Sequence, residues 1–210
     1  MKMNTLEKLA MNNPVRLLIQ RHFELPLLQK LGGRLDGMHV LEVGCGRGVG
    51  TELLLKQLGA ASVHAIDLDE SMLKHARKRL AKYDSTQLKL EVGDVTAIDA
   101  PNHSYDAVVN FAAIHHVPNW QAAVAEIARV LKADGRFFFQ EVTSQWIHRW
   151  PYSVLFEHPK ENRFSSEEFV QEVERQGIAI DSNWEQRGGG DFVFGVGRRN
   201  SIDSQSTGAS

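Results

Sequence analysis

Three carboxylates and a glycine loop are the first residues of this chain whose types and spacing could do chemistry. Glu42, Asp67 and Asp94 each stand at the end of a short apolar run. In Val40-Leu41-Glu42-Val43-Gly44-Cys45-Gly46-Arg47-Gly48 the glycines recur at every second position behind the first acid. Glycine is needed where the backbone takes a positive φ or must approach a ligand with no Cβ between. A loop that cradles a dinucleotide pyrophosphate spaces them G-x-G-x-x-G. Here Gly48 follows Gly46 by two residues and Glu42 precedes Gly44 by two, giving E-x-G-x-G-x-G. A carboxylate at that place repels a pyrophosphate and suits a cofactor tail carrying an ammonium group. Asp67 lies 19 residues past Gly48, the spacing at which an acid accepts hydrogen bonds from ribose hydroxyls. Asp69 is the better placed of the two to cap the helix holding Met72 and Leu73. Alone, Asp94 would be an ordinary turn residue; as the third acid at successive strand ends it lies on the edge where α/β sheets bind ligands. Cys45 reads as a small packing residue, with no base beside it to make a reactive thiol. His115 and His116 are neighbours, and adjacent side chains cannot share one face, so at most one of them faces a cleft.

These residues need a scaffold, and the pattern supplies one. Apolar runs predict strands at 38–43, 62–67, 87–92, 105–110 and 136–142, with helices at about 49–58, 70–82 and 119–132. Such alternation means right-handed β-α-β units and a parallel sheet covered on both faces. Ser165-Ser166-Glu167-Glu168 is a capping box opening a helix that runs to about Gln176 and ends at Gly177. Two final strands near 178–186 and 191–198 are separated by Gly188-Gly189-Gly190, too short a link for anything but an antiparallel hairpin. The expected fold is therefore α/β: a doubly wound, mostly parallel, seven-stranded sheet with an antiparallel terminal hairpin. Asn13-Pro14 starts an N-terminal helix with an apolar stripe that Pro26 must kink or split. The organisation read from this is a helical segment 1–37 packing outside the sheet, a core domain 38–198 and a disordered polar tail 199–210. Within the core, residues 143–164 carry Trp146, Trp150, Tyr152 and Phe156 without a clear period and are expected to form an apolar lid.

Composition excludes several classes. The 210 residues fit one domain able to bury about 70% of its unfolded surface. A net charge of −2 gives no chain-wide attraction to nucleic acid, and Lys74 to Arg79 lies in a helical pattern, where it reads as a solvated face. One cysteine allows no internal disulfide, which fits a reducing cytoplasm. No apolar run reaches the roughly 18–20 residues of a membrane span, and the N-terminus lacks a secretory core. The nine histidines show no metal-ligand spacing.

The glycine motif, with the acids that follow it, resembles the first motifs of class I S-adenosylmethionine-dependent methyltransferases. The fourth strand Tyr105-Asp106-Ala107-Val108-Val109-Asn110-Phe111 and the stretch from Glu126 to Gly135 also resemble that family, with Ala133-Asp134-Gly135 where Pro-Gly-Gly is usual. The resemblance covers roughly residues 38–198 and implies S-adenosyl-L-methionine as cofactor, with S-adenosyl-L-homocysteine as product. It implies that Glu42 and the loop Gly44, Cys45, Gly46 and Gly48 meet the cofactor's amino-acid tail. Asp67 with Leu68 would meet the ribose, and Asp94 with the backbone of Val95 the adenine. Asn110 would end the strand beside the transferable methyl. An oxygen or amine acceptor would need a base, for which His115, His116 and Glu141 are the candidates. Phe111-Ala112-Ala113 follows Asn110 where methylation of adenine or amide nitrogen would require Pro-Pro-aromatic. A small-molecule acceptor is therefore expected, and Ile114-His115-His116-Val117-Pro118 resembles small-molecule and quinone methyltransferases. A lipid-like acceptor would suit the apolar N-terminal helix and the aromatic segment. Two rivals remain at this stage: a non-catalytic S-adenosylmethionine-binding module, and a nicotinamide-dependent oxidoreductase, which Glu42 and the close third glycine oppose.

Overall fold

In the computed structural model, residues 14–147 and 162–201 are described. The first thirteen residues, most of the expected lid and most of the expected tail lie outside them. Runs rich in Val, Ile, Leu and Phe form five parallel strands: β1 (His39–Val43), β2 (Ser62–Asp67), β3 (Leu88–Val92), β4 (Tyr105–Phe111) and β5 (Leu131–Val142). Three more, β6 (Ile178–Ala179), β7 (Trp184–Arg187) and β8 (Phe192–Arg199), are antiparallel. Across the sheet the order is β3-β2-β1-β4-β5-β8-β6, with β7 also paired to β8. The order reverses between β1 and β4, and at such a switch point the following loops splay apart and leave a crevice at the carboxyl edge. Register keeps the strand ends level there, with Val43 beside both Ile66 and Asn110.

The last stretch differs from the continuous strand 178–186 that the sequence suggests. Asp181 adopts a left-handed φ of 52°, and the Asn183 N–H donates to the Ile180 carbonyl at 3.0 Å. That tight turn interrupts the ladder, so one strand position is filled by two short pieces and the seven positions hold eight strands.

Helices cover both faces. The N-terminal segment comprises α1 (Pro14–Ile19), a π-helical turn (Gln20–Glu24) and α2 (Leu25–Gly32). Pro26 lacks an N–H, and it follows the place where the Leu25 N–H already reaches back to Gln20. The missing bond thus falls where the ladder has changed pitch, which splits the helix without breaking it. The other helices are α3 (Val49–Lys56), α4 (Glu70–Arg79), α5 (Trp120–Val130), the short α6 (Ser144–Ile147) and α7 (Ser166–Arg175). Asp69 caps α4 through the Ser71 N–H at 2.9 Å, and Ser165 with Glu168 forms the capping box of α7.

Strand alternation sorts the core into two layers. Leu41, Phe137 and Phe139 pack with Ile127 of α5 and Phe169 of α7 on one face. Val40 and Phe138 pack with Leu28 of α2, Leu54 of α3 and Leu73 of α4 on the other. Phe137, Phe138 and Phe139 are all buried, each worth roughly 1.5–3 kcal/mol, and they anchor the strand whose end carries Glu141.

Candidate functional site

At the carboxyl edge of β1, β2, β3 and β4 lies a cavity of about 600 Å³. Its floor is the turn between β1 and α3. A Cβ on Gly44 would come within 2.2 Å of the Ala113 Cβ, so this glycine lets the loops after β1 and β4 touch. Gly46, at φ 53°, has nothing within 4 Å of where its Cβ would be: it is an open cradle lining the cavity. The Gly46 N–H donates to Asp67 Oδ2 at 2.8 Å, and the Asp69 N–H donates to Oδ1 at 2.8 Å. Those two bonds hold the Asp67 carboxylate on the cavity wall. Asp94 is exposed in the same cavity, its Oδ1 accepting from the Thr96 N–H and hydroxyl at 2.8 Å each. Turn geometry and availability to a ligand are therefore both present at Asp94. Leu68, Val95 and Cys45 also line the cavity. Burial, with Glu42 and Asp67 nearby, pushes the Cys45 thiol well above its usual value, so it stays protonated and serves as packing.

Three of the residues expected to meet the cofactor, Glu42, Gly48 and Asn110, do not line the cavity. Glu42 is only 2% exposed; its Oε2 accepts from the Thr51 hydroxyl, and Oε1 lies where a Cβ on Gly50 would sit. Burial pushes its carboxyl up to about 8, with the Asp67 charge adding to the rise and the Thr51 bond opposing it. Glu42 thus supports the glycine loop from behind. Gly48 faces α4, where a Cβ would strike Leu80 and Ala76.

A glycine cradle beside an acid at the end of β2 is shared by several cofactor classes, and comparison with known proteins decides among them. Residues 40–135 match the family model described as a methyltransferase domain. The phthiotriol/phenolphthiotriol dimycocerosates methyltransferase of Mycobacterium leprae is 32% identical over 149 residues, 70% of this chain and 53% of that protein. The fatty-acid O-methyltransferase of Mycolicibacterium smegmatis is 30% identical over 116 residues, 55% of this chain and 41% of that protein. This chain belongs to the class I S-adenosylmethionine-dependent methyltransferase family. Its cofactor is S-adenosyl-L-methionine. The fold agrees: a methyltransferase structure from Aquifex aeolicus superposes with a TM-score of 0.72 at 22% identity, covering 94% of this chain and 98% of that one. The chain spans about half the length of the curated relatives it matches.

Beyond the glycine loop, the cavity continues between the loop after β4 and the N-terminal helix, past Ala113, His116, Val117, Leu17 and Gln20. A buried carboxylate organises this end. Glu141 is fully buried; Oε1 accepts from Asn110 Nδ2 at 2.6 Å and the Ile114 N–H at 2.7 Å. Its Oε2 accepts from His115 Nδ1 at 2.7 Å and the Val142 N–H at 3.2 Å. Asn110 Oδ1 in turn accepts from the Ala113 N–H at 3.1 Å. Glu141 and Asn110 are therefore structural partners of the loop rather than cavity residues, and Glu141 is not exposed to act as a base. His115 is tied beneath the loop, while His116, its ring 4.1 Å away between centroids, lines the cavity. Only one of the adjacent pair faces the cleft, as adjacency requires.

Sequence reasoning passed over Thr51 and Gly50, which hold Glu42, and Leu17, Gln20 and Phe111, which wall the cavity. Gly50 carried a signal, a fourth glycine two residues after Gly48. Thr51 carried none, since nine residues separate it from its partner.

Proposed function

We propose that this protein transfers the methyl group of S-adenosyl-L-methionine to a small, apolar acceptor, with His116 as the base. When bound, the cofactor would supply an activated methyl on a sulfonium whose leaving group is a neutral thioether. In this reading Asp67 accepts from the ribose hydroxyls, Asp94 and Val95 hold the adenine edge, and Leu68 packs on its face. Gly44, Cys45 and Gly46 bring the loop backbone against the amino-acid tail. The chain's main contribution is alignment and exclusion of water, and held reactants of this kind gain much of their acceleration from proximity. A hydroxyl or amine acceptor must also lose a proton, and His116 is the ring in the cavity able to take it. His115 is a positioning residue, held by Glu141 so that the loop presents its neighbour.

The observation carrying this reading is the continuity of the cavity from Asp67 and Asp94 to His116. A cofactor-binding module without activity would need no chamber beyond the methyl. Leu17, Phe111, Val117 and Pro118 make that chamber largely apolar, and relatives named for fatty acids and dimycocerosates point to the same acceptor chemistry. A cytoplasmic location belongs to this proposal, supported by a single cysteine that can form no internal disulfide. A net charge of −2 supports a partner other than nucleic acid. The test is a panel of fatty acids, quinols and phenols incubated with cofactor, with S-adenosyl-L-homocysteine quantified. His116→Ala should lower kcat by about 10²–10⁴-fold with cofactor Kd unchanged, and His115→Ala should cost less. Equal turnover of His116→Ala and wild type would remove the base from the proposal.

A further inference from the structure

The N-terminal helix that walls the cavity turns an apolar face outward. Val15, Leu18, Ile19 and Phe23 are 62%, 52%, 40% and 72% exposed. At i, i+3 and i+4, the first three share one side of α1. Phe23 falls in the π-helical turn, whose wider spacing swings it back toward the line of Val15 and Ile19. Leu17 and Gln20, on the other side of the same helix, line the cavity. Large side chains this exposed and in one line mark a contact surface. The charges beside them are of one sign. Arg21 and Lys30 are exposed, and the single acid between residues 14 and 32, Glu24, is buried.

We infer that α1 and the π-helical turn form an interfacial helix that seats the protein on an anionic lipid surface, Val15, Leu18, Ile19 and Phe23 entering the headgroup boundary. An apolar stripe flanked by cations is the pattern that binds such surfaces. A second copy of the chain fits less well, because an isologous contact through this face would gather the Arg21 charges of both copies at one interface. The inference extends the apolar-acceptor reading. An acceptor of that kind resides in lipid, and the helix that walls the chamber would then lie against its source.

The experiment is cosedimentation of the full chain with unilamellar vesicles of phosphatidylcholine alone and of phosphatidylcholine with phosphatidylglycerol. Binding should favour the anionic vesicles and weaken as salt is raised. The double variant Leu18→Asp/Phe23→Asp should bind at least about tenfold more weakly, and Arg21→Glu should lose the preference for phosphatidylglycerol. Cofactor Kd, read by calorimetry on the same variants, should not change. Wild type that stays in the supernatant with both vesicles overturns the inference, as does a sedimenting dimer that the double variant dissolves. Neither result touches the methyl-transfer reading, whose own failure would appear as absence of cofactor binding or turnover.

Discussion

The two halves of the cleft use carboxylates at strand ends in opposite ways. Asp67, ending β2, sits on the cavity wall, held there by the backbone N–H groups of Gly46 and Asp69. Glu141, near the end of β5, is wholly enclosed by donors from Asn110, Ile114, His115 and Val142. The chemical group and the sheet edge are the same. What differs is the loop above: the glycine turn after β1 leaves a gap beside Asp67, whereas the loop after β4 folds down onto Glu141. An open carboxylate can receive a ligand, and an enclosed one holds the shape of the wall. Glu42 belongs with the second kind, for Thr51 and Gly50 shut it behind the loop.

The sharpest way to break this contrast is to remove the enclosed carboxylate. Glu141→Ala leaves Asn110 and the Ile114 N–H buried without their acceptor, and urea unfolding should show a loss of about 3–5 kcal/mol. A loss below about 1 kcal/mol would mean that the loop after β4 holds itself. The open carboxylate should behave differently. Asp67→Ala should weaken S-adenosyl-L-methionine binding by about 1–3 kcal/mol, the scale of lost hydrogen bonds to a charged acceptor. Calorimetry giving an unchanged Kd would take Asp67 out of the site.

The last prediction concerns Glu42 and is read as a slope in pH. Its folded value of about 8 stands above the ordinary 4.5, so between those limits the folded protein holds a proton that the unfolded chain has released. Stability from this group is present below about pH 4.5 and declines as pH rises toward 8, by up to about 1.4 kcal/mol per unit. Glu42→Gln should flatten the wild-type slope in urea melts between pH 5 and 8. Identical slopes would mean that Glu42 is ionised in the folded state and that its burial costs less than the geometry implies.

Much of the fold was legible from local pattern. Apolar runs of strand length, separated by helical stretches, specify a parallel sheet, and the triple glycine specifies the hairpin. The break at Asp181 was not legible, because an aspartate in a strand pattern gives no warning that it will adopt a left-handed φ. In the site, the spacing between Gly48 and Asp67 located an acid on the cavity wall, since both flank a single β-α-β unit of fixed dimensions. His115 and His116 could be narrowed to one facing residue and no further.

The sequence by itself determined the order of strands and helices, the glycine loop, and the acids that fall at the ends of β1, β2 and β3. Each depends on contacts within a few tens of residues, where chain geometry leaves few choices. Only the tertiary structure decided that Glu42 is shut in by Thr51, that Glu141 serves Asn110 and His115, and that Leu17 and Gln20 close the cavity. Those relations join elements far apart in the chain. Whether a carboxylate meets solvent, ligand or a backbone N–H is set by what packs over it, and no spacing within its own strand records that.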